Sequence, residues 1–153
     1  MNMTCQKMTS VLKIDSSRFG LLSVREDKVI RFVQGIPGFE KLRRFILIDH
    51  NDEGTLKWLQ SVEDPDVAFL LTVPDLYVPD YKVPLKKNDV EELGAKDAKN
   101  LVTLVMVTAS KEKRQLSVNL KGPVIFNSDN MLAMQYIIDK EGYQSRYIIE
   151  SRA

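Results

Sequence analysis

The sequence has little of the chemistry that catalysis or metal binding requires. Its 153 residues include one cysteine, Cys5, and one histidine, His50. A single cysteine cannot form a disulfide within the chain, which is typical of a reducing compartment. His50 lies in a polar segment typical of a turn, and the sequence has no cluster with metal-ligand spacing. We therefore expect neither an enzyme, nor a metal site, nor a cofactor.

Long hydrophobic runs and an excess of one charge are also missing. No apolar stretch approaches the roughly 18 residues of a membrane span, and the N-terminus lacks the apolar core of a signal peptide. The 22 basic and 21 acidic residues give a net charge of +1, which provides no broad field for nucleic acid or an anionic membrane. We expect a cytoplasmic protein that binds neither directly. Its length predicts one domain over residues 1–153, with residues 1–8 frayed.

Short apolar runs separated by turn signals make up most of the chain. Residues 45–48 form a continuous run typical of a buried strand, and residues 116–120 alternate in the manner of a half-buried one. Ten or so such runs predict a mainly β fold, an antiparallel barrel-like domain. One short helix is predicted, with Asn88 as N-cap, Glu91 as its capping-box partner and Gly94 as the C-terminal stop.

The motif Gly35-Ile36-Pro37-Gly38-Phe39-Glu40 predicts a tight turn. We interpret Gly35 and Gly38 as positions that need unusual backbone angles, and Pro37 as the residue that fixes φ. The turn places Phe39 and Glu40 on a rigid support. Two interpretations remain open: a platform that presents Phe39 to a partner, or a corner in which Phe39 plugs the end of the barrel.

Two further aromatic segments are candidate contact surfaces. Trp58 begins the block Trp58-Leu59-Gln60-Ser61, and strand alternation directs it outward if Leu59 faces the core. An exposed tryptophan often marks a binding hot spot; the alternative is a core side chain whose indole N–H bonds a carbonyl. Residues 74–84 contain three prolines and form either a rigid contact loop or a proline-capped sheet edge. The candidate contact residues in that segment are Leu76, Tyr77 and Tyr81.

A third block, Asn119 to Asn127, contains Gly122 and Pro123, which we interpret as a structural turn. The two asparagine amides are predicted to bond to turn backbone. The acidic block Glu63-Asp64-Pro65-Asp66 follows the tryptophan block. We interpret it as a solvated turn rather than an acid–base pair.

In this order and at these intervals the three blocks resemble the FliW family of flagellar assembly factors. The resemblance covers roughly Val11 through Tyr147. It implies a small β-barrel-like protein without enzymatic activity, which binds flagellin near its C-terminal end in the cytoplasm. It also implies that the protein binds the RNA-binding translational regulator CsrA and antagonises it without occupying its RNA site. Repression of flagellin mRNA translation would thereby be relieved. The residues expected at or beside the contact surface are Phe39, Glu40, Trp58, Leu76, Tyr77 and Tyr81.

The alternative interpretation is a nucleic-acid-binding barrel of the OB kind. Such barrels display aromatic residues interleaved with basic ones on a single sheet face. In this chain the basic residues are scattered among acidic ones, which favours a protein-binding function.

Overall fold

The computed structural model describes residues 10–152, so the predicted fraying of residues 1–8, and Cys5, lie outside the described part. Within that part the chain forms eleven β-strands and one α-helix, with 3-10 turns at Glu26–Lys28, Pro74–Leu76 and Ala98–Asn100. In chain order the elements are β1 Val11–Ser16, β2 Gly20–Arg25, β3 Ile30–Phe32, β4 Arg44–Asp49, β5 Leu56–Ser61, β6 Ala68–Thr72, α1 Lys87–Glu92, β7 Val102–Ser110, β8 Gln115–Val118, β9 Val124–Asn127, β10 Leu132–Gln135 and β11 Tyr147–Ser151. The predicted mainly β fold is confirmed. No helix in residues 10–152 has the length and apolar character needed to cross a bilayer.

Seven of the described strands close into a barrel, in the order β7-β6-β5-β4-β3-β10-β9 and back to β7. The predicted antiparallel arrangement holds for every pairing except β3 with β10, which is parallel. Antiparallel neighbours can be joined by a tight hairpin, whereas a parallel pair needs a long connection. Here the connection between β3 and β10 contains β4 to β9 and α1.

Strand β7 has two partners on one side because it is longer than its neighbours. Its first part, Val102–Leu104, pairs with β9. Its last part, Val107–Ser110, pairs with β8, which in turn carries β11. Beyond the barrel wall, β7 therefore extends into a separate three-stranded layer formed with β8 and β11.

The inside of the barrel is filled by apolar side chains at alternating strand positions. Phe45 and Leu71 are completely buried, and the ring of Phe32 meets that of Phe45 edge to face at 5.1 Å. Burying a side chain of this size stabilises the fold by roughly 1.5–3 kcal/mol. The core consists of Ile30, Phe32, Ile36, Phe45, Leu59, Leu71, Leu104, Val124, Phe126 and Ala133.

The outward-facing side of the barrel wall is also largely apolar, and three elements cover it. The β1–β2 hairpin packs on Ile46 and Ile48. The residues around α1 cover Ile125 and Met134. The segment after β6, together with β8 and β11, covers Val105. These covers explain why strands such as β9 are buried on both faces.

The β1–β2 hairpin is fastened to the barrel by a buried polar residue, Gln60. The Ser16 hydroxyl donates to Gln60 Oε1 at 2.8 Å. Gln60 Nε2 donates to the Val67 carbonyl at 3.2 Å. The backbone N–H of Ser17 also donates to the Pro65 carbonyl at 2.9 Å. Gln60 thus joins the hairpin end to the turn between β5 and β6.

The predicted cap of the helix is wrong. Asn88 lies inside α1, which begins at Lys87, and the Asp89 carboxylate accepts from the Lys86 N–H at 2.9 Å. An acceptor three residues after Lys86 satisfies this N–H and lets the helix begin two residues early. Gly94 has φ +68°, as expected for the predicted C-terminal stop.

Candidate protein-binding surface

The turn at residues 35–40 is held by its own backbone. Phe39 N–H donates to the Ile36 carbonyl at 2.7 Å, with Pro37 and then Gly38 between them. Gly38 has φ +87°, so the turn is type II, in which proline fits the second position and glycine the third. The turn directs the chain back so that the Phe39 ring meets Phe69, which packs against the barrel core.

Gly35 is required for a different reason from the one expected. Its φ is not in the left-handed region. A Cβ at this position would lie 2.5 Å from the Glu40 Cα and 2.8 Å from the Glu40 carbonyl oxygen. The backbone of Glu40 therefore passes too close to Gly35 for any side chain, and the requirement is for space rather than for backbone angle.

Glu40 serves the same turn through its side chain. Its Oε2 accepts from the Gly38 N–H at 2.9 Å. This backbone hydrogen bond lowers the pKa of the fully exposed Glu40 carboxyl, because a bond to the charged form favours ionisation. The carboxylate beside Phe39 is thus ionised at neutral pH.

Phe39 packs against the aromatic ring of Phe69 and remains accessible. It is 38% exposed, and its ring meets Phe69 edge to face at 5.2 Å. Phe69 lies 6.2 Å from the central Phe45. A chain of three rings therefore leads from the surface to the core, and the outer ring is partly exposed.

Trp58 faces outward from the barrel, since its neighbour Leu59 is buried in the core. The guanidinium of Arg18 lies 4.1 Å from the ring centroid, and Phe19 approaches edge-on at 6.1 Å. The indole N–H donates to His50 Nδ1 at 3.1 Å, rather than to a carbonyl. A cation over an indole contributes about 0.5–1 kcal/mol at an exposed site. Trp58 is thus a fixed, half-buried ring on the outer wall.

Next to Trp58 the barrel wall opens into a groove of about 380 Å³, which we term the β6–β7 groove. Its lining is apolar except for one threonine. The lining residues are Trp58, Ala68, Phe69, Leu70, Met106, Val107, Thr108, Ala109 and Leu116. Its size falls within the roughly 300–1,000 Å³ of ligand-holding pockets. Because Phe39 meets Phe69 edge to face and Phe69 lines the groove with Trp58, the groove lies between the two sequence-predicted aromatics at one end of β6.

The remaining candidates lie beyond the other end of β6. Leu76 is 56% exposed and Tyr77 36% exposed. Tyr81 packs inward, where its hydroxyl donates to the Leu120 carbonyl at 2.6 Å. Burial raises the pKa of Tyr81 above its ordinary value. The structure thus brings Phe39 and Trp58 to one region and places Leu76 and Tyr77 in another, while the Tyr81 hydroxyl is engaged within the fold.

The Gly122–Pro123 turn is occupied with internal contacts. Asn119 Oδ1 accepts from the Gly122 N–H at 2.9 Å, and a Cβ on Gly122 would meet side-chain atoms at 2.9–3.3 Å. Asn127 Nδ2 donates to the carbonyl of Leu93 at 2.8 Å, at the end of α1. The asparagine predictions agree for Asn119, while Asn127 also holds the helix end.

The acidic block at residues 63–66 also makes its polar contacts within the fold. Glu63 pairs with Arg44 at 2.8 Å, and Asp64 Oδ1 accepts from the Asp66 N–H at 3.0 Å. In residues 10–152 no three potential ligands among His, Cys, Asp and Glu come together as a metal site. The block forms the turn that the sequence predicts.

Sequence reasoning missed the floor and wall of the groove. Phe69 and Leu70 belong to the apolar run of β6, and Val107 to that of β7. A strand that is apolar on both faces indicates that its outer face is either covered by another element or used to bind a partner. Whether the outer face is covered or used depends on long-range packing. The contact of Arg18 with Trp58, for example, joins residues forty positions apart in sequence.

Comparison with known proteins gives one consistent family. The model of the family described as FliW protein matches residues 13–149. A flagellar assembly factor FliW from Caldicellulosiruptor saccharolyticus is 38% identical over 136 residues, covering 89% of each chain. One from Caldanaerobacter subterraneus is 33% identical over 139 residues, covering 90% of this chain and 93% of that protein. The crystal structure of a flagellar assembly factor FliW superposes with a TM-score of 0.80 at 29% identity, covering 90% and 96%.

Proposed function

Since the chain belongs to the FliW family of flagellar assembly factors, we propose that it binds flagellin in the cytoplasm, near flagellin's C-terminal end, and holds it before export. It works by association, forming and breaking no covalent bonds. The observation that carries the proposal is the family match over residues 13–149, on a fold in which Trp58 and Phe69 line an open apolar groove.

The second part of the proposal concerns CsrA. Export lowers the flagellin concentration, free assembly factor rises by mass action, and it captures CsrA. Antagonism without occupation of the RNA site requires that CsrA bound to this protein bind RNA more weakly. By linkage the coupling is reciprocal, and such couplings typically amount to about 1–3 kcal/mol. Translation of flagellin mRNA is then released from repression.

The contact surface we propose contains Phe39, Glu40, Trp58, Leu76 and Tyr77. Phe39 is partly exposed, and Glu40 places a negative charge beside it. Aromatic residues at the centre of an interface dominate binding energies. We assign Tyr81 a positioning role, since its bond to the Leu120 carbonyl holds the segment that carries Leu76 and Tyr77.

The test is calorimetric titration of the purified protein with flagellin, with flagellin truncated at its C-terminal end, and with CsrA. We expect binding to both intact partners and none to the truncated flagellin. Phe39→Ala should weaken flagellin binding by at least about 1 kcal/mol, or roughly fivefold. Ile137→Ala is the matched control, because Ile137 is also an exposed apolar side chain (52%) but does not line the groove.

Two outcomes would contradict the proposal. One is the absence of binding to both flagellin and CsrA at micromolar concentrations. The other is an equal effect of the Phe39 and Ile137 variants, which would remove Phe39 from the interface while leaving the function itself in place.

A further inference from the structure

The β6–β7 groove exists because the ladder between these strands stops early. The register pairs Leu70 with Val107 and continues from there to Thr72 with Val105. In the opposite direction the next hydrogen-bonding pair would be Ala68 with Ala109, yet these two residues are not paired. Both strands continue past this point, β6 paired with β5 and β7 paired with β8. The sheet therefore splits between two intact strands.

The backbone groups of Ala68 and Ala109 face into the split. Asn119 N–H donates to the Met106 carbonyl, so Met106 directs its backbone toward β8. Because hydrogen-bonding direction alternates along an antiparallel strand, Ala109 directs its N–H and C=O toward β6. The bond from Ser61 N–H to the Val67 carbonyl shows, by the same alternation, that Ala68 faces β7. Within residues 10–152 neither residue has a cross-strand partner in the split.

Unpaired strand backbone in an apolar groove is the template for strand addition. An extended segment entering the split can exchange backbone hydrogen bonds with Ala68 or Ala109. Its alternate side chains would meet the floor formed by Leu70 and Val107. A strand rises about 3.3 Å per residue, so a segment of a few residues spans the groove.

The rim of the groove is basic, although the chain as a whole carries a net charge of only +1. Three surface pockets adjoin the groove, and each shares Ala68, Ala109 or Leu116 with it. They are lined by two acidic residues, Asp66 and Glu150, and six basic ones. Glu150 is paired with Arg152 at 2.7 Å. The other rim cations, which have no ion-pair partner in the described part of the chain, are Arg18, Lys111, Lys113, Arg114 and Arg146.

From this geometry we infer that the β6–β7 groove takes an extended protein segment of alternating apolar and acidic residues, bound by strand addition to Ala68 and Ala109. The apolar residues contact the groove floor, and the acidic residues face the basic rim. The inference rests on the proposed function only in taking the occupant to be part of a protein partner.

The aromatic geometry favours a peptide over a single-stranded nucleic acid. Bases bind such surfaces by stacking on open aromatic faces. Arg18 lies over the ring of Trp58, with Phe19 and His50 at its edges. Phe69 is flanked by Phe39 and Phe45. The faces of the rings that line the groove are therefore largely covered, whereas the unpaired strand backbone of Ala68 and Ala109 matches the backbone of an extended peptide.

The test uses the full chain and three capped hexapeptides. The first is Glu-Val-Glu-Leu-Glu-Val, the second replaces each Glu by Lys, and the third is the acidic peptide with alternate backbone amides N-methylated. Trp58 is the only tryptophan and lines the groove, so its fluorescence reports occupancy. We expect the acidic peptide to bind below 1 mM and to slow amide exchange at Ala68 and Ala109. The other two peptides should show no saturation.

Variants separate backbone pairing from charge. Ala109→Pro removes the N–H in the split, and Ala109→Gly is its control because it keeps that N–H. We expect the proline variant to bind the acidic peptide at least tenfold more weakly. The glycine variant should change the affinity less than twofold. The double variant Lys113→Glu/Arg146→Glu alters two exposed rim residues and should also weaken binding at least tenfold. Lys140→Glu, at an exposed position away from the groove, is its control.

Several results would overturn the inference: no binding of the acidic peptide up to 1 mM, equal binding of the basic or N-methylated peptide, or no effect of the rim variant. Binding of oligo-uridylate that the rim variant abolishes, without peptide binding, would assign the groove to nucleic acid. Light-scattering evidence of a dimer lost in Ala109→Pro would assign it to a second copy. Peptide binding without flagellin binding would contradict the proposed function alone, and flagellin binding unaffected by both variants would contradict the groove alone.

Discussion

Gly35 and Gly38 lie three residues apart in one turn, and we expect replacements to fail there for opposite reasons. At Gly35 an added Cβ would lie 2.5 Å from a backbone atom of Glu40, nearly 1 Å inside ordinary contact. Backbone cannot rotate away as a side chain can, so the turn itself must shift. Overpacking of this kind costs about 1–3 kcal/mol. For a domain of this size, that is a loss of about 2–12 °C in Tm.

At Gly38 an added Cβ has open space, with no atom within 4 Å, but φ is +87°. Gly38→Ala should therefore cost about 1–2 kcal/mol through left-handed backbone strain alone. Asparagine tolerates that conformation better than alanine, so Gly38→Asn should be more stable than Gly38→Ala. At Gly35, in contrast, the asparagine variant should be no more stable than the alanine variant, because asparagine adds atoms at the same close approach to the Glu40 backbone.

Thermal and urea unfolding of the four variants would measure these differences. The reasoning is refuted if Gly35→Ala lies within about 0.5 kcal/mol of the parent protein, the usual effect of a neutral surface change. It is also refuted if Gly35→Asn is more stable than Gly35→Ala, because backbone angle would then be the requirement at both positions.

Two further predictions concern polar groups, the buried Gln60 and the half-buried Tyr81. Gln60→Ala removes the acceptor of the Ser16 hydroxyl and should cost about 1–3 kcal/mol; urea unfolding measures it, with the exposed Gln34→Ala as control. Tyr81 has a folded pKa raised by burial, so its contribution is fully present below the unfolded pKa of about 10 and is lost as pH rises through the folded pKa. Tyr81→Phe should therefore reduce the alkaline loss of stability, and an unchanged slope of unfolding free energy above pH 10 would contradict this.

The strands were predictable because their signal is local. Residues 45–48 and 56–61 are short apolar or alternating runs bounded by turn residues, and both are strands in the structure. A strand's existence depends on its own side chains and on where the chain can turn. The same local reasoning misplaced the start of α1, because two acceptors, Asn88 and Asp89, stand side by side and the pattern cannot choose between them.

The closure of the barrel was not predictable from the sequence alone. The parallel pairing of β3 with β10 joins residues about a hundred positions apart. Neither strand carries a mark that identifies the other, since each only needs a neighbour that buries its apolar face. The division of β7 between β8 and β9 is likewise a result of tertiary packing.

For the candidate surface, sequence reasoning supplied the aromatic residues but not their grouping. The outward direction of Trp58 followed from the alternation with Leu59. Its fixation by Arg18 and His50, and the groove beside it, depend on which strands become neighbours. The unpaired ends at Ala68 and Ala109 arise where a ladder stops, and no residue type signals this point.

The positions of the two aromatic regions bear on how two partners would compete for this chain. Phe39 meets Phe69 edge to face, and Leu76 follows Phe69 by only seven positions. Even a fully extended chain of that length spans at most about 25 Å. A standard interface covers about 800 Å² on each partner, equivalent to a circular patch about 32 Å across. Patches of this size centred on the two regions would overlap where both regions face the same side of the barrel, and two protein partners bound there would exclude one another sterically.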